Sequence, residues 1–393
     1  MVTYLVVFIV SLLIVAFSIK PLITIAVRKR LFDVPLESRK IHKRIIPNLG
    51  GIAIFTGMLL SLALFGDILN LENANYILAA GTIIFLTGVK DDVIGVDPLK
   101  KFIAQFVAAG ILVGLADLRI TSLEGLLGIY ELAYPLSVVL SVVLYVGVIN
   151  AYNLIDGIDG LAGSLGLIAS LAFAFLFYSS GEYHWAYICL ALAGALCGFL
   201  MHNVSPARIF MGDCGSLMLG LMMATFAVHF INIAGKGTIE TGIIPVTAAP
   251  GLALAIVLLP VFDTLRVFAI RIVHGQSPFK ADKNHMHHRM LELGMNHSQA
   301  TGVLAFVSAL FVAMGFSLQH IGSNQLVLTL VLTIVLLNTG LSIYLYSRKV
   351  SAEKGDEQSV LRAEPQIPVV ITPDLISENK DLVERALSKV AQN

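Results

Sequence analysis

Four short polar stretches interrupt an otherwise apolar chain, and each carries side chains able to bind a cation, move a proton or grip an anion. The first is the carboxylate pair in Gly88-Val89-Lys90-Asp91-Asp92-Val93-Ile94-Gly95. Adjacent carboxylates repel, so Asp91 and Asp92 need a cation, a basic partner or a shared proton. Lys90, Lys100 and Lys101 supply a structural answer, and a metal or phosphate site a functional one. The second stretch holds Asn153, Asp156 and Asp159, spaced i, i+3, i+6. On a continuous helix these would line one face with oxygens suited to a hard cation or to ribose hydroxyls, although Gly157 and Gly160 also permit a plain cap and turn. In the third, Phe210-Met211-Gly212-Asp213-Cys214-Gly215-Ser216-Leu217, Asp213 reads as a helix N-cap or as a metal ligand whose small neighbours let a phosphate approach. The fourth groups His285, His287, His288 and Arg289. Zinc, a set of anion donors and an ordinary basic loop are the alternatives; no cysteine is near in sequence, and Lys283 and Arg289 favour the anion.

The elements that must position these groups are membrane helices. Of 393 residues only 13% are charged and 57% are hydrophobic, with a mean hydropathy of +0.84. A soluble domain carries about 25% charged residues, so lipid is the solvent that accounts for the deficit. Zero formal net charge excludes a nucleic-acid footprint, and three cysteines, two of them in apolar runs, make no disulfide framework. The all-α reading has ten or eleven spans, at 3–27, 49–66, 75–89, 102–118, 134–152, 163–180, 184–202, 215–234, 249–272, 299–320 and 325–347. The ten-span count omits either 75–89 or 134–152, Lys20-Pro21 marks a kink or the end of the first span, and that span reads as retained rather than as a signal peptide.

Basic residues fix the expected orientation. They concentrate in Arg28–Arg44, Lys90–Lys101, Arg208, Arg266–Arg289 and Arg348–Lys349, whereas the alternate connections carry only Arg119 and Lys236. Such asymmetry predicts an outside N-terminus and a cytoplasmic C-terminus, with all four polar stretches on the cytoplasmic side. Residues 1–349 form the membrane domain, and 350–393 a soluble cytoplasmic tail that begins as a linker and includes a short helix from Ser377. No internal repeat is visible, which weighs against a transporter built from duplicated halves.

With Pro47-Asn48-Leu49-Gly50-Gly51 added, five motifs stand in order, and on them residues 1–349 resemble the polyprenyl-phosphate N-acetylhexosamine-1-phosphate transferases of glycosyltransferase family 4. His285-Met286-His287-His288-Arg289, preceded by Pro278-Phe279-Lys280-Ala281-Asp282, is similar to the branch that uses UDP-N-acetylglucosamine, rather than to the branch with three consecutive histidines that takes UDP-MurNAc-pentapeptide. The resemblance implies transfer of GlcNAc-1-phosphate from UDP-GlcNAc to undecaprenyl phosphate with release of UMP, initiating a cell-envelope glycan in the bacterial inner membrane. It implies Mg2+, with Mn2+ as a substitute, held by Asp213 with Asn153; catalytic roles for Asp91, Asp92, Asp156 and Asp159; and contacts to the diphosphate or sugar from His285, His287, His288 and Arg289. Lys101 and Gln105, one turn apart, are candidates for the lipid phosphate, and a homodimer is a candidate assembly.

A phosphate monoester has a second pKa of about 6, so a catalytic base is barely needed and Asp91 or Asp92 can act by positioning. A covalent aspartyl-phosphate route stays open. Three other classes fit less well. An ion-coupled transporter would place its carboxylates near the midplane; an aspartate-rich prenyltransferase motif would need an acid where Gly95 stands; and a CDP-alcohol phosphotransferase would need Ala-Arg after Asp156-Gly157.

Overall fold

The computed structural model describes residues 2–29, 46–66, 71–235, 245–277 and 284–362. Arg30–Arg44 of the basic run, Lys236, the stretch Pro278–Lys283 and the helix expected from Ser377 lie outside the described residues. Helices follow in order: α1 Val2–Lys29, α2 Gly50–Phe65, α3 Ala74–Ile94, α4 Pro98–Gly114, α5 Tyr134–Ile155, α6 Leu161–Ser179, α7 Tyr183–Asn203, α8 Gly212–Gly235, α9 Ala249–Val273, the short α10 Met286–Glu292, α11 His297–Leu318 and α12 Ser323–Arg362. Each apolar window thus falls on one helix. Eight of these helices are long and apolar enough to cross a bilayer; α2, at 16 residues, is shorter, and α3 and α4 are not among the eight. The molecule is an all-α polytopic membrane protein.

Three details differ from the sequence reading. Pro21 does not end α1, which runs on to Lys29. Helix α12 continues to Arg362, through the stretch expected to be a linker. The α4–α5 connection forms an antiparallel hairpin of β1 (Ser122–Leu126) and β2 (Ile129–Glu131), with Gly125 and Gly128 at positive φ.

The chain divides into two compact units, residues 1–335 and 336–393. The first contains every site residue, and of the second the described part is the remainder of α12. Within the first unit α8 is the central element: its span is 83% buried, and it packs against α2, α3, α5, α6 and α9. Phe226 and Phe230 of α8 meet Phe173 and Phe177 of α6 at centroid distances of 5.9 to 6.3 Å. Outward-facing apolar side chains such as Phe17 and Phe306 are exposed, as lipid-facing positions are in a bundle without its bilayer.

Helix directions bring the polar stretches to one end. Along α1 and α7, Phe8 meets Gly194, Leu12 meets Gly198 and Ala16 meets His202, so the two run parallel and α1 continues past the end of α7 to Arg28 and Lys29. Helix α3 runs antiparallel to α8, with Gly81 against Met218 and Gly88 against Cys214.

Candidate active site

The site is built around the first turn of α8. Backbone pairing sets the entry to that turn: Phe210 N–H donates to Pro47 O, and Gly50 and Gly51 N–H donate to Phe210 and Met211 O, at 2.8 to 2.9 Å. The Pro47–Gly51 motif therefore acts as a backbone template. Gly212 takes φ +70, and a Cβ there would lie 2.1 Å from Asn48 O and 2.7 Å from the Asp92 carboxylate, so only glycine fits.

Asp92, near the end of α3, places one oxygen 2.8 Å from the Asp213 N–H and the other 3.0 Å from the Cys214 N–H. It thereby satisfies two of the unpaired amides of α8, as an N-cap side chain would, but from another helix. Asp213 is consequently not the N-cap of its own helix, and its side chain points elsewhere. One Asp213 oxygen accepts from Asn153 Nδ2 at 2.7 Å, and the other meets the Lys101 ammonium. Asn153 also donates to Ser216 Oγ at 2.9 Å, so it orients the Asp213 carboxylate by its amide N–H groups.

Lys101 is positioned by a sharp connection. Gly95, at φ +75, closes α3, and Asp97 caps α4 by accepting from Leu99 N–H at 2.9 Å, with Pro98 at the first helical position. Lys101, in the first turns of α4, joins the two stretches, with its ammonium 2.5 Å from Asp91 and in contact with Asp213. The other Asp91 oxygen accepts from Val96 N–H at 2.6 Å. Side-chain exposures of 14% for Asp91, 19% for Lys101 and 26% for Asp213 leave the bridge open to a ligand. Gln105 does not join it: the residue is buried and exchanges amide hydrogen bonds with Asn150.

The run Asn153, Asp156, Asp159 does not share one helical face, because α5 stops at Ile155 and Asp156 leaves the helix at ψ 51. The three diverge. Asp156 is half-buried, and its carboxyl is pushed up to about 7 by burial first and by the charges of Asp213 and Asp92 second. Asp159 is buried and turned away: one oxygen accepts from Ala207 N–H at 3.1 Å and the other stands 3.2 Å from His297 Nδ1.

The histidines arrive on α10. His285 Nδ1 lies 3.0 Å from Asp263, whose other oxygen accepts from Met286 N–H and Arg266 at 3.0 Å. His285 is thus tied into the protein on that side. His287 packs on the turn beside Asp156: a Cβ on Gly157 would lie 2.2 Å from its Nε2. Its Nδ1 is buried without a hydrogen-bond partner among the described residues, an unmet polar atom beside the carboxylate turn. Burial, then the neighbouring His288, press the ring down to about 3, so it is neutral at physiological pH. His288 lies against it at 4.2 Å between ring centroids, and Arg289 is buried in the same helix.

Sequence reasoning overlooked Asp263, Asn203 and His297, and met Ser216 only as a neighbour of Asp213. Asp263 had a signal, as the one acidic residue in the window 249–272. Asn203, which accepts from Gly160 N–H and donates to Ile209 O at 2.8 Å, had none.

Among the described residues no three His, Cys, Asp or Glu side chains form a ready-made cation cage. The donor chemistry still suits a hard divalent ion: Asp91 and Asp213 already converge on one cation, the Lys101 ammonium, and Mg2+ takes one or two carboxylates plus substrate phosphates and waters.

Carboxylates gathered at one end of an apolar helical bundle, with histidines folded against them, define a membrane protein with a polar reaction centre at its helix ends. The Glycosyl transferase family 4 profile matches residues 74–231. A decaprenyl-phosphate N-acetylglucosaminephosphotransferase of Mycolicibacterium smegmatis is 33% identical over 331 residues, covering 77% of this chain and 82% of that protein. A probable undecaprenyl-phosphate N-acetylglucosaminyl 1-phosphate transferase of Bacillus subtilis is 32% identical over 315 residues, 79% of this chain and 84% of that one. The undecaprenyl-phosphate alpha-N-acetylglucosaminyl 1-phosphate transferase of Salmonella typhi is 28% identical over 301 residues, 75% and 78%. The chain belongs to glycosyl transferase family 4.

Proposed function

We propose that the protein transfers N-acetylglucosamine-1-phosphate from UDP-GlcNAc to a polyprenyl phosphate, undecaprenyl phosphate foremost, and releases UMP. The observation that carries this reading is the Asp91–Lys101–Asp213 bridge at the start of α8, in a chain whose relatives are named for this transfer. An acceptor phosphate oxygen attacks the sugar-side phosphorus, a new P–O bond forms, and the bond from that phosphorus to the bridging oxygen breaks, leaving on UMP. The obstacle is repulsion between anions.

Bound Mg2+, or Mn2+ in its place, would supply the positive charge that offsets this repulsion, held by Asp213 and Asp91. Lys101 brings a second positive charge to the same place, while Asn153 and Asp92 fix where Asp213 points. Asp92, with both oxygens engaged by amides, is a positioning group rather than a base. The acceptor, with a second pKa of about 6, is mostly dianionic at neutral pH and attacks without one. Asp156, poised near neutrality, is the member able to hold or release a proton. His287 offers a buried ring nitrogen to the donor, and Arg289 adds charge beside it.

This reactive end is assigned to the cytoplasmic face of the bacterial inner membrane. Its support is the placement of Arg28 and Lys29 at that end and of Arg119 beyond the far end of α4. Membranes containing the protein, given labelled UDP-GlcNAc and undecaprenyl phosphate, should form a lipid-linked product and UMP only with Mg2+ or Mn2+. No cation-dependent product would refute the reading, and UDP-GalNAc and UDP-MurNAc-pentapeptide test donor choice in the same assay.

A further inference from the structure

The histidine segment sits between two buried carboxylates from different parts of the fold. At its start, Asp263 of α9 holds His285 and the Met286 amide, as described. At its end stands a second anchor that the transfer chemistry does not use. His297 is the first residue of α11, and its Nδ1 lies 3.2 Å from Asp159 Oδ1. Thr301, one turn further on, donates from Oγ1 to the Asp159 carbonyl at 2.8 Å. Asp159 itself is held by the Ala207 amide, and the next residue, Gly160, donates to Asn203. A capping box between Asn296 and Gln299 fixes the direction in which α11 begins, so His297 is presented to Asp159 by a rigid first turn.

We infer that the Asp159–His297 pair, with Thr301, is a latch that positions the histidine segment against the Asp156–Gly157 turn and so sets affinity for the nucleotide-sugar donor. Asp159 is then a positioning residue rather than a catalytic one. Two independent contacts converge on this. Asp159 engages α11 with both its side chain and its carbonyl, and His287 rests directly on Gly157, two residues from Asp159. Only eleven residues separate His285 from His297, so releasing either end frees α10 to lift from the turn. The donor part of the inference rests on the proposed transfer; the latch itself does not.

The test uses the full chain in nanodiscs with three variants. His297→Leu removes the donor, His297→Asn keeps an N–H near the Nδ1 position, and Thr301→Val removes only the hydroxyl. Hydrogen exchange of residues 286–293, measured without substrate, should rise about tenfold in His297→Leu, the scale of one part-buried hydrogen bond. Thr301→Val should raise it severalfold, and His297→Asn should restore wild-type protection. In turnover assays His297→Leu should raise KM for UDP-GlcNAc up to about tenfold with kcat changed by less than about twofold, because only the docked fraction binds donor. Unchanged exchange in both His297→Leu and Thr301→Val would overturn the latch. A fall in kcat with KM unchanged would overturn its role in donor binding and return Asp159 to the chemistry. If the wild-type protein fails to use UDP-GlcNAc, the functional proposal falls, while the exchange measurement still decides the latch.

Discussion

Asp92→Asn is expected to weaken cation binding rather than to delete a proton acceptor. The wild-type carboxylate accepts from the Asp213 and Cys214 amides at 2.8 and 3.0 Å. Hydrogen bonds to a charged acceptor contribute about 1.5–3 kcal/mol each, against about 1 kcal/mol for a neutral pair. Asparagine keeps one oxygen, so one bond becomes neutral and the second amide faces an NH2 group. Loss of negative charge at a helix N-terminus costs a further ~0.3–1 kcal/mol. The changes sum to about 3 kcal/mol, or on the order of 100-fold in the equilibrium that seats the first turn of α8. That turn aims Asp213, so the Kd for Mn2+ should rise by about 10- to 100-fold, followed by electron paramagnetic resonance on the protein without substrates. Raising the cation concentration should restore part of the turnover, and the pH profile of kcat should keep its shape. Unchanged Mn2+ affinity together with loss of the acidic limb of that profile would refute the capping argument and make Asp92 the base.

Asp213→Asn removes the carboxylate that both Lys101 and Asn153 engage, and should lower turnover by about 100-fold or more, with cation rescue absent; near-normal activity in a labelled-lipid assay would contradict its role. Gly157→Ala drives a Cβ to 2.2 Å from His287 Nε2, so the His287 ring must leave the turn; KM for the donor should rise about tenfold with helix content unchanged by circular dichroism, and an unaltered KM would show that the contact does not matter. Acid should undock the same segment. His287 titrates near 3 when docked and near its ordinary 6.5 when released, so the released form binds more protons between those values; docking is intact above pH 6.5 and is lost as pH falls towards 3. From pH 7 to pH 5 the released fraction should rise on the order of 20-fold, read as hydrogen exchange of 286–293, and His287→Asn should flatten the dependence.

Apolar length was the most legible property of this chain. Each predicted window became one helix, because a long run of apolar residues in lipid has no other way to satisfy its backbone. The ends of those helices were harder to read. The spacing of Asn153, Asp156 and Asp159 pointed to one stripe, but Gly157 and Gly160 let the chain turn at Asp156, and the three side chains serve different neighbours. Gln105 lay one turn from Lys101 as expected, yet it faces Asn150, a partner 45 residues away that no local pattern announces. The hairpin at Ser122–Glu131 was equally hidden, since it is tied to distant residues: Asn232 bonds Thr121 beside it, and Asn324 bonds Gly125 and Leu127. Asp263 could have been found by the rule that flagged the other carboxylates.

The division of labour among the acidic residues follows from what each can reach. Asp92 faces the unpaired amides of α8, Asp263 faces His285, and Asp159 faces His297 and the Ala207 amide, so these three charges are matched within the protein. Among the described residues Asp91 and Asp213 share one cation, Lys101, and Asp156, raised first by burial, is raised further by the negative charges of Asp213 and Asp92. A surplus of that kind in a partly desolvated site is costly unless a cation arrives with the substrate. The carboxylates that look equivalent in sequence therefore separate into scaffold and site by one criterion, whether the fold already supplies their counter-charge or hydrogen-bond donor, and in the proposed reaction the unmatched set is the one that would draw in a cation.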